Sequence, residues 1–302
     1  MSTLPAFPRM MRRRFLFVAT LAAATLAGAQ TPKAPRPPET TPVTLPGSEA
    51  QVFREAKPDP VRLHVFKPKD WKASDRRPVF IWFFGGGWTR GTPANAAGWG
   101  KWAADLGFVG VAPDYRTKDR FGTSPLESVA DGRAAMRWVQ DHARELGIDP
   151  TRIVVGGNSA GGHLALWTAI AHTPPGSSES EAPLAKPVAL VLTSAVSDTS
   201  KGKGYTPARF GENAEALSPL HQLDAKMPAM IVFHGDADTT VPQAQSLALR
   251  DKLRATGNSV EFVNVPGGSH NFGGELPEWR KKTWTLVEGF LTEQKLLPVG
   301  AK

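Results

Sequence analysis

Ile153-Val154-Val155-Gly156-Gly157-Asn158-Ser159-Ala160-Gly161-Gly162-His163-Leu164 decides how this chain is read. An apolar strand-like run enters Gly157-Asn158-Ser159-Ala160-Gly161, and a helix-like segment, Gly162 to Trp167, leaves it. This is the strand, tight turn and helix that a G-x-S-x-G nucleophile needs. A serine on so sharp a turn is held exposed in strained backbone, and the flanking glycines let strand and helix pack closely around it. The helix start behind it offers backbone N–H groups and a positive dipole end, both suited to an oxyanion. On its own the motif also fits a turn that only joins a strand to a helix.

Two further segments complete the constellation. Val79-Phe80-Ile81-Trp82-Phe83-Phe84 reads as a buried strand running into Gly85-Gly86-Gly87-Trp88. Three glycines in a row allow a backbone that turns its N–H groups into a pocket. Losing one such donor to a tetrahedral oxyanion costs about 3–4 kcal/mol of barrier. A phosphate loop is excluded here, because Thr92 stands where Walker spacing from Gly86 requires Lys. Met230 to His234 is another strand, followed by Gly235-Asp236-Ala237-Asp238. Val260 to Val265 is a third, ending at Pro266-Gly267-Gly268-Ser269-His270. An acid and a histidine therefore each follow a late strand, in the chain order Ser, Asp, His. Serine is a weak nucleophile until imidazole takes its proton, and a carboxylate fixes the imidazole tautomer.

Phe84-Gly85-Gly86-Gly87-Trp88, Gly157 to Gly162, His234 to Pro242 and Gly268-Ser269-His270 resemble the esterases of the α/β-hydrolase superfamily. The likeness is to the hormone-sensitive-lipase-like and bacterial feruloyl/acetylxylan esterase group, over roughly residues 48–295. The resemblance implies Ser159 as nucleophile, Asp238 as acid and His270 as base, with the N–H groups of Gly86, Gly87 and Ala160 as oxyanion hole. Asp236 lies in the same loop, and the family pattern His-Gly-x-x-Asp selects Asp238 over it. These esterases usually carry His before the three glycines, a residue that braces the loop; here Phe84 stands there, so apolar packing must replace a hydrogen bond.

The rest of the chain agrees with an α/β-hydrolase fold. After a hairpin over Gln51–Phe66 turning at Lys57-Pro58-Asp59-Pro60, strands and helices alternate. Expected strands are 79–84, 108–112, 153–156, 188–193, 230–234 and 260–265. Expected helices are 94–105, 125–146, 161–171, 243–255 and 278–294. Such alternation implies a mostly parallel sheet with helices on both faces, and catalytic groups at the carboxyl ends of its strands. Residues 194–228 lack periodicity and hold Gly202, Gly204, Pro207, Gly211 and Pro219, the expected place for a cap or pocket wall.

Arg12-Arg13-Arg14, the short apolar run Phe15–Ala27 and Ala27-Gly28-Ala29 read as an export signal over residues 1–29. Residues 30–47 are Pro-rich and read as a linker, 48–295 as the catalytic domain and 296–302 as a tail. Periplasmic or secreted localisation follows, with no stable membrane span once the signal is removed. There is no cysteine, so the fold depends on its core, for which 41% hydrophobic content suffices. The formal charge of +8 includes four Arg in residues 1–29, and the remainder is scattered without a basic stripe, which excludes nucleic acid as a partner. The histidines lack metal-ligand spacing, so neither metal nor other cofactor is expected. Trp88 and Asn158 are candidate pocket residues, His163 and His234 packing residues, Trp99 and Trp102 helix–sheet core with a sugar-stacking option for Trp99, and Arg116 the partner of a carboxylate. The expected activity is hydrolysis of short acyl esters, small-molecule or polysaccharide, acetyl or feruloyl. The alternatives are a serine peptidase of the prolyl-oligopeptidase kind, for which no propeller domain is present, and a non-catalytic binder on the same fold.

Overall fold

A computed structural model describes residues 1–3, 40–179 and 182–297. The export signal and most of the Pro-rich linker lie outside the described residues. Eight strands form one sheet: β1 (Glu49–Arg54), β2 (Val61–Phe66), β3 (Arg77–Phe83), β4 (Val109–Pro113), β5 (Ile148–Asn158), β6 (Ala189–Thr193), β7 (Ala229–Gly235) and β8 (Val260–Val265). The helices are α1 (Ala97–Asp105), α2 (Lys118–Phe121), α3 (Pro125–Asp141), α4 (Ala143–Leu146), α5 (Ala160–Ala169), α6 (Pro219–Gln222), α7 (Ala244–Ala255), α8 (Phe272–Glu275) and α9 (Pro277–Glu293). The strand order is β1-β2-β4-β3-β5-β6-β7-β8. β1–β2 and β2–β4 are antiparallel and the remaining pairs are parallel.

The parallel strands are short and apolar because both of their faces are covered. On β3, Phe80 and Trp82 point to one face, and Trp82 stacks on Trp99 of α1 with centroids 4.0 Å apart. Trp99 and Trp102 in turn meet Trp284 of α9, so α1 and α9 share that face. Period-2 alternation sends Val79, Ile81 and Phe83 to the other face, where α5 packs over β5, β3 and β6 and α3 packs on α5. The C-terminal end of α5 is tied by Arg133 of α3. Its guanidinium donates to the carbonyls of Trp167 (2.8 Å) and Ile170 (2.7 Å) and pairs with Glu179 at 2.6 Å. Those carbonyls would otherwise be orphaned at the helix end.

Asp131 of α3 is fully buried, accepts from Arg116 at 2.9 Å and forms an ion pair with Arg54 at 2.6 Å. Arg116 is thus the carboxylate partner the sequence suggested. The pair ties β1 and the loop after β4 to α3.

Three differences from the sequence reading have local causes. The helix expected over 125–146 breaks at His142, where Trp138 stacks on the imidazole at 3.9 Å and its carbonyl bonds the ring nitrogen. β5 starts earlier than expected, because Arg77 pairs with Ile148 across a register shift before the main ladder begins at Val79 and Ile153. The packed body also exceeds 48–295: Leu45 and Leu296 are buried in the core, and Thr41 donates to Asp114 at 3.3 Å. Among the described residues, no helix is long and apolar enough to cross a membrane.

Candidate active site

The ends of β5, β7 and β8 present Ser159, Asp238 and His270. Ser159 sits between β5 and α5 at φ 54°, ψ −122°. A side chain rarely holds that region, at a cost of about 1–3 kcal/mol. Its N–H donates to Thr193 at 3.0 Å, and its carbonyl accepts from His163 at 3.2 Å and Val196 at 3.3 Å, so both ends of the residue are pinned. The flanking glycines are steric necessities. A Cβ on Gly157 would collide with the backbone of Gly161, and one on Gly161 with the carbonyls of Phe83 and Phe84. Asn158 lies beside Ser159 and lines both cavities described below.

His270 Nδ1 donates to Asp238 Oδ2 at 2.8 Å. The Asp238 carboxylate is fully buried and takes three more hydrogen bonds or charge contacts. Oδ1 accepts the N–H groups of Thr240 (2.8 Å) and Val241 (2.9 Å), and His234 Nε2 lies 3.2 Å from Oδ2. His234 Nε2 also faces the Val241 carbonyl at 2.9 Å; two acceptors require that this nitrogen carry the proton, so Nδ1 accepts from Ser246 Oγ at 2.7 Å. Burial raises the Asp238 pKa, but the donors from His234, His270 and Val241 outweigh it and hold the carboxyl well below the usual range. Asp236 is elsewhere: it accepts from Gly267 N–H (2.7 Å) and Asn264 (3.1 Å), bracing the turn after β8. The expected packing role of His163 also appears. It is fully buried against Trp88 and Phe210 and bonds the Leu217 carbonyl at 2.8 Å. Burial pushes its imidazole down to about 4, against the pull of that bond, so it stays neutral.

The glycine loop after β3 is held from three sides. The Gly86 carbonyl accepts the N–H groups of Thr89 and Arg90, both at 3.2 Å, and Thr89 Oγ1 at 3.0 Å. Because a trans peptide sets C=O and N–H in opposite directions, this turns the Gly87 N–H away from that turn. The Gly87 carbonyl accepts from Arg209 at 3.1 Å. Gly86 and Gly87 have φ of 136° and 61°, which glycine supplies without steric cost. Phe84, where a histidine was expected in relatives, stacks on Tyr115 with centroids 4.1 Å apart and planes 13° apart. Tyr115 Oη donates to the Phe84 carbonyl at 2.9 Å, and burial, aided by Asp114, pushes its phenol up so that it remains a donor. The missing imidazole is thus replaced by a ring stack plus a phenol on the carbonyl. Ala160 is buried at the first position of α5, directly after Ser159.

Two cavities meet at these residues. One, of about 520 Å³, is lined by Gly85, Gly86, Gly87, Arg90, Ser159, Tyr205, Arg209, Thr240 and His270. The other, of about 530 Å³, is aromatic, with Trp82, Trp99, Phe272 and Trp284. They share Asn95, Asn158, His270 and Asn271. Trp88 does not belong to either. It is buried, with its ring edge-on to Phe210 at 4.8 Å, because the left-handed turn at φ 60° swings it inward; it borders only a neighbouring cavity. Tyr205 and Arg209 come from the irregular 194–228 stretch, which therefore does form a wall. Sequence reasoning could not single them out there, since no periodicity marks them. Among the described residues no cluster of His, Asp and Glu could hold a metal ion.

A mostly parallel sheet with a serine on a strained strand-to-helix turn, and an Asp-bonded histidine opening on the same cavity, defines the α/β-hydrolase fold. The BD-FAE family model matches residues 63–188 and 191–253, more than half of the chain, and the chain belongs to that family. It is similar to Esterase LipQ of Mycobacterium tuberculosis, 29% identical over 228 residues, which are 70% of this chain and 54% of that protein. It is also similar to the Probable carboxylic ester hydrolase LipM of the same organism, 28% identical, covering 76% and 58% respectively. The chain thus spans a little over half the length of these curated relatives. Among solved structures, the thermophilic esterase Est2 of Thermogutta terrifontis with butyrate bound is 35% identical with a TM-score of 0.77, over 84% of this chain and 96% of that one. The same enzyme phosphorylated by paraoxon is 36% identical with a TM-score of 0.76, over 83% and 96%.

Tyr115→Phe removes the donor to the buried Phe84 carbonyl. The expected outcome is a loss of about 1–3 kcal/mol of stability in urea unfolding, together with a lower kcat and little change in KM on 4-nitrophenyl acetate. An unchanged kcat would mean that the phenol holds the core but not the glycine loop.

Proposed function

We propose that this protein is an exported serine hydrolase of carboxylic esters with short acyl groups. The observation that carries the reading is Ser159 on its strained turn, opening on the same cavity as a histidine whose Nδ1 is bonded to a buried carboxylate. With Nδ1 engaged by Asp238, Nε2 is the nitrogen available to Ser159 Oγ. Ser159 attacks the ester carbonyl carbon as Nε2 takes its proton. The carbonyl oxygen becomes an oxyanion facing the N–H groups of Gly86, Gly87 and Ala160. His270 then protonates the leaving alcohol, and a water deprotonated by the same nitrogen releases the acid from Ser159. Asp238 stays ionised throughout and stabilises the imidazolium.

Short acyl groups are supported by the size of the aromatic cavity and by the solved neighbours, which include Est2 with butyrate and with propionate. Acetyl or feruloyl groups on a polysaccharide fit the same cavity, since Trp82, Trp99, Phe272 and Trp284 offer flat apolar walls to a small acyl chain or a ring. Export is supported by Arg12-Arg13-Arg14, the apolar run after it and Ala27-Gly28-Ala29.

Three measurements test this reading. Asp238→Asn should lower kcat by about 10⁴, as loss of the orienting carboxylate does elsewhere, whereas Asp236→Asn should stay within tenfold of the parent; the reverse ranking would reassign the acid. Across 4-nitrophenyl esters from acetate to decanoate, kcat/KM should peak at four carbons or fewer, graded by about 1–3 kcal/mol per methylene, with acetate or ferulate released from substituted xylan. A peak at octanoate with no release from xylan rules the substrate class out. N-terminal sequencing of the exported protein should begin at Gln30; a chain still starting at Met1 or Met10 would end the export proposal.

A further inference from the structure

Among the described residues, the cavity that holds Ser159 is lined by two arginines, Arg90 and Arg209, and by no carboxylate. Both side chains are exposed, and they flank the glycine loop from opposite ends of the sequence. Arg90 Cγ lies 3.5 Å from where a Gly86 Cβ would be, and a Gly87 Cβ would collide with Arg209 Nη1. Four arginines elsewhere in this fold, Arg116, Arg120, Arg133 and Arg137, each hold a carboxylate. Among the described residues, none pairs with Arg90 or Arg209, and the single side-chain bond of Arg209 is to the Gly87 carbonyl.

The basic track continues. A third cavity of about 420 Å³ shares Gly87, Thr89 and Arg209 with the serine's cavity and adds Lys118, again with no carboxylate among the described residues of its lining. Two acids lie on that side: Glu127 is occupied by Ser124 through Oγ and N–H at 2.6 and 2.9 Å, and the exposed Asp119 follows Lys118, its backbone N–H donating to the Thr89 carbonyl at 2.9 Å. On the other side of His270 the walls are mostly aromatic, Trp82, Trp99, Phe272 and Trp284, with one arginine, Arg280, in the lining against two beside Ser159. The two halves of an ester thus meet two different surroundings. The acyl group fits the aromatic cavity, and the alcohol, whose oxygen His270 protonates on leaving, fits the basic one.

We infer that the alcohol half of the substrate is an anionic sugar, its negative group held by Arg90 and Arg209 beside the glycine loop. The inference rests on the esterase reading above. Guanidinium forks donate to the oxygens of a carboxylate and of a sulfate alike. A uronic acid unit and a sulfated sugar therefore share the required chemistry. The leaving-group side is also where rim charge acts mostly on encounter and binding, with a strong dependence on salt.

The test compares methyl 3-O-acetyl-glucuronoside and methyl 3-O-acetyl-6-sulfo-glucoside with the neutral methyl 3-O-acetyl-glucoside, with 4-nitrophenyl acetate as a charge-free reference. In 20 mM salt, kcat/KM for at least one anionic ester should exceed that of the neutral glucoside about fivefold, the scale of two exposed ion pairs. The better of the two identifies the anion. The preference should shrink in 500 mM salt. Arg90→Gln should cut the anionic-to-neutral ratio at least twofold, through KM, and Arg90→Lys should restore most of it. Equal kcat/KM for neutral and anionic sugars, or a ratio unmoved by salt and by Arg90→Gln, overturns the inference while leaving the esterase intact. No turnover of any ester, 4-nitrophenyl acetate included, would remove the esterase reading itself and this inference with it.

Discussion

Everything at this site depends on one backbone residue held where it does not want to be. Ser159 at φ 54° and ψ −122° is costly in isolation. It persists because β5 and α5 leave no other path between them. Gly157 and Gly161 touch backbone to backbone, Gly161 lies against the carbonyls at the end of β3, and hydrogen bonds to Thr193, His163 and Val196 fix the peptides on either side. The strain is stored by the parallel ladder of β3, β5 and β6, whose apolar strands are covered on both faces. A looser sheet would let the turn relax and withdraw the hydroxyl from the cavity.

Asp238 and His270 are held by a different device, a polar network rather than steric closure. A buried carboxylate is unfavourable unless each lone pair is answered. Asp238 receives His270, His234 and two backbone N–H groups, and His234 is itself fixed by Val241 and Ser246. The second histidine makes the carboxylate's orientation independent of His270. On the opposite wall, the stack of Phe84 on Tyr115 and the bond from Arg209 to Gly87 do for the glycine loop what a single histidine does in the related esterases.

Much of this was legible in the sequence because the carriers are local. A strand, a tight turn and a helix around Ser159, and the loops that end at Asp238 and His270, are each written in a few adjacent residues, and the alternating pattern around them gives the sheet. What was not legible comes from contacts between distant segments. Trp88 follows the glycine loop and looked like a pocket residue; its left-handed turn buries it against Phe210, which lies far along the chain. The break at His142 depends on a ring stack with Trp138 that helix periodicity does not register. Tyr205, Arg209 and Trp284 line the cavities only because an irregular stretch and a C-terminal helix happen to pass there, which no spacing in their own neighbourhood announces.

The central claim is that Ser159 is an activated nucleophile, and covalent capture tests it most directly. The full chain is treated with a stoichiometric excess of paraoxon, and intact mass and peptide mass spectra are recorded alongside the loss of ester turnover. The account predicts one phosphoryl adduct per chain, located on Ser159, forming in step with the loss of activity and absent from Ser159→Ala. Full turnover retained with Ser159 unmodified, or inactivation with the adduct on another residue, would contradict it.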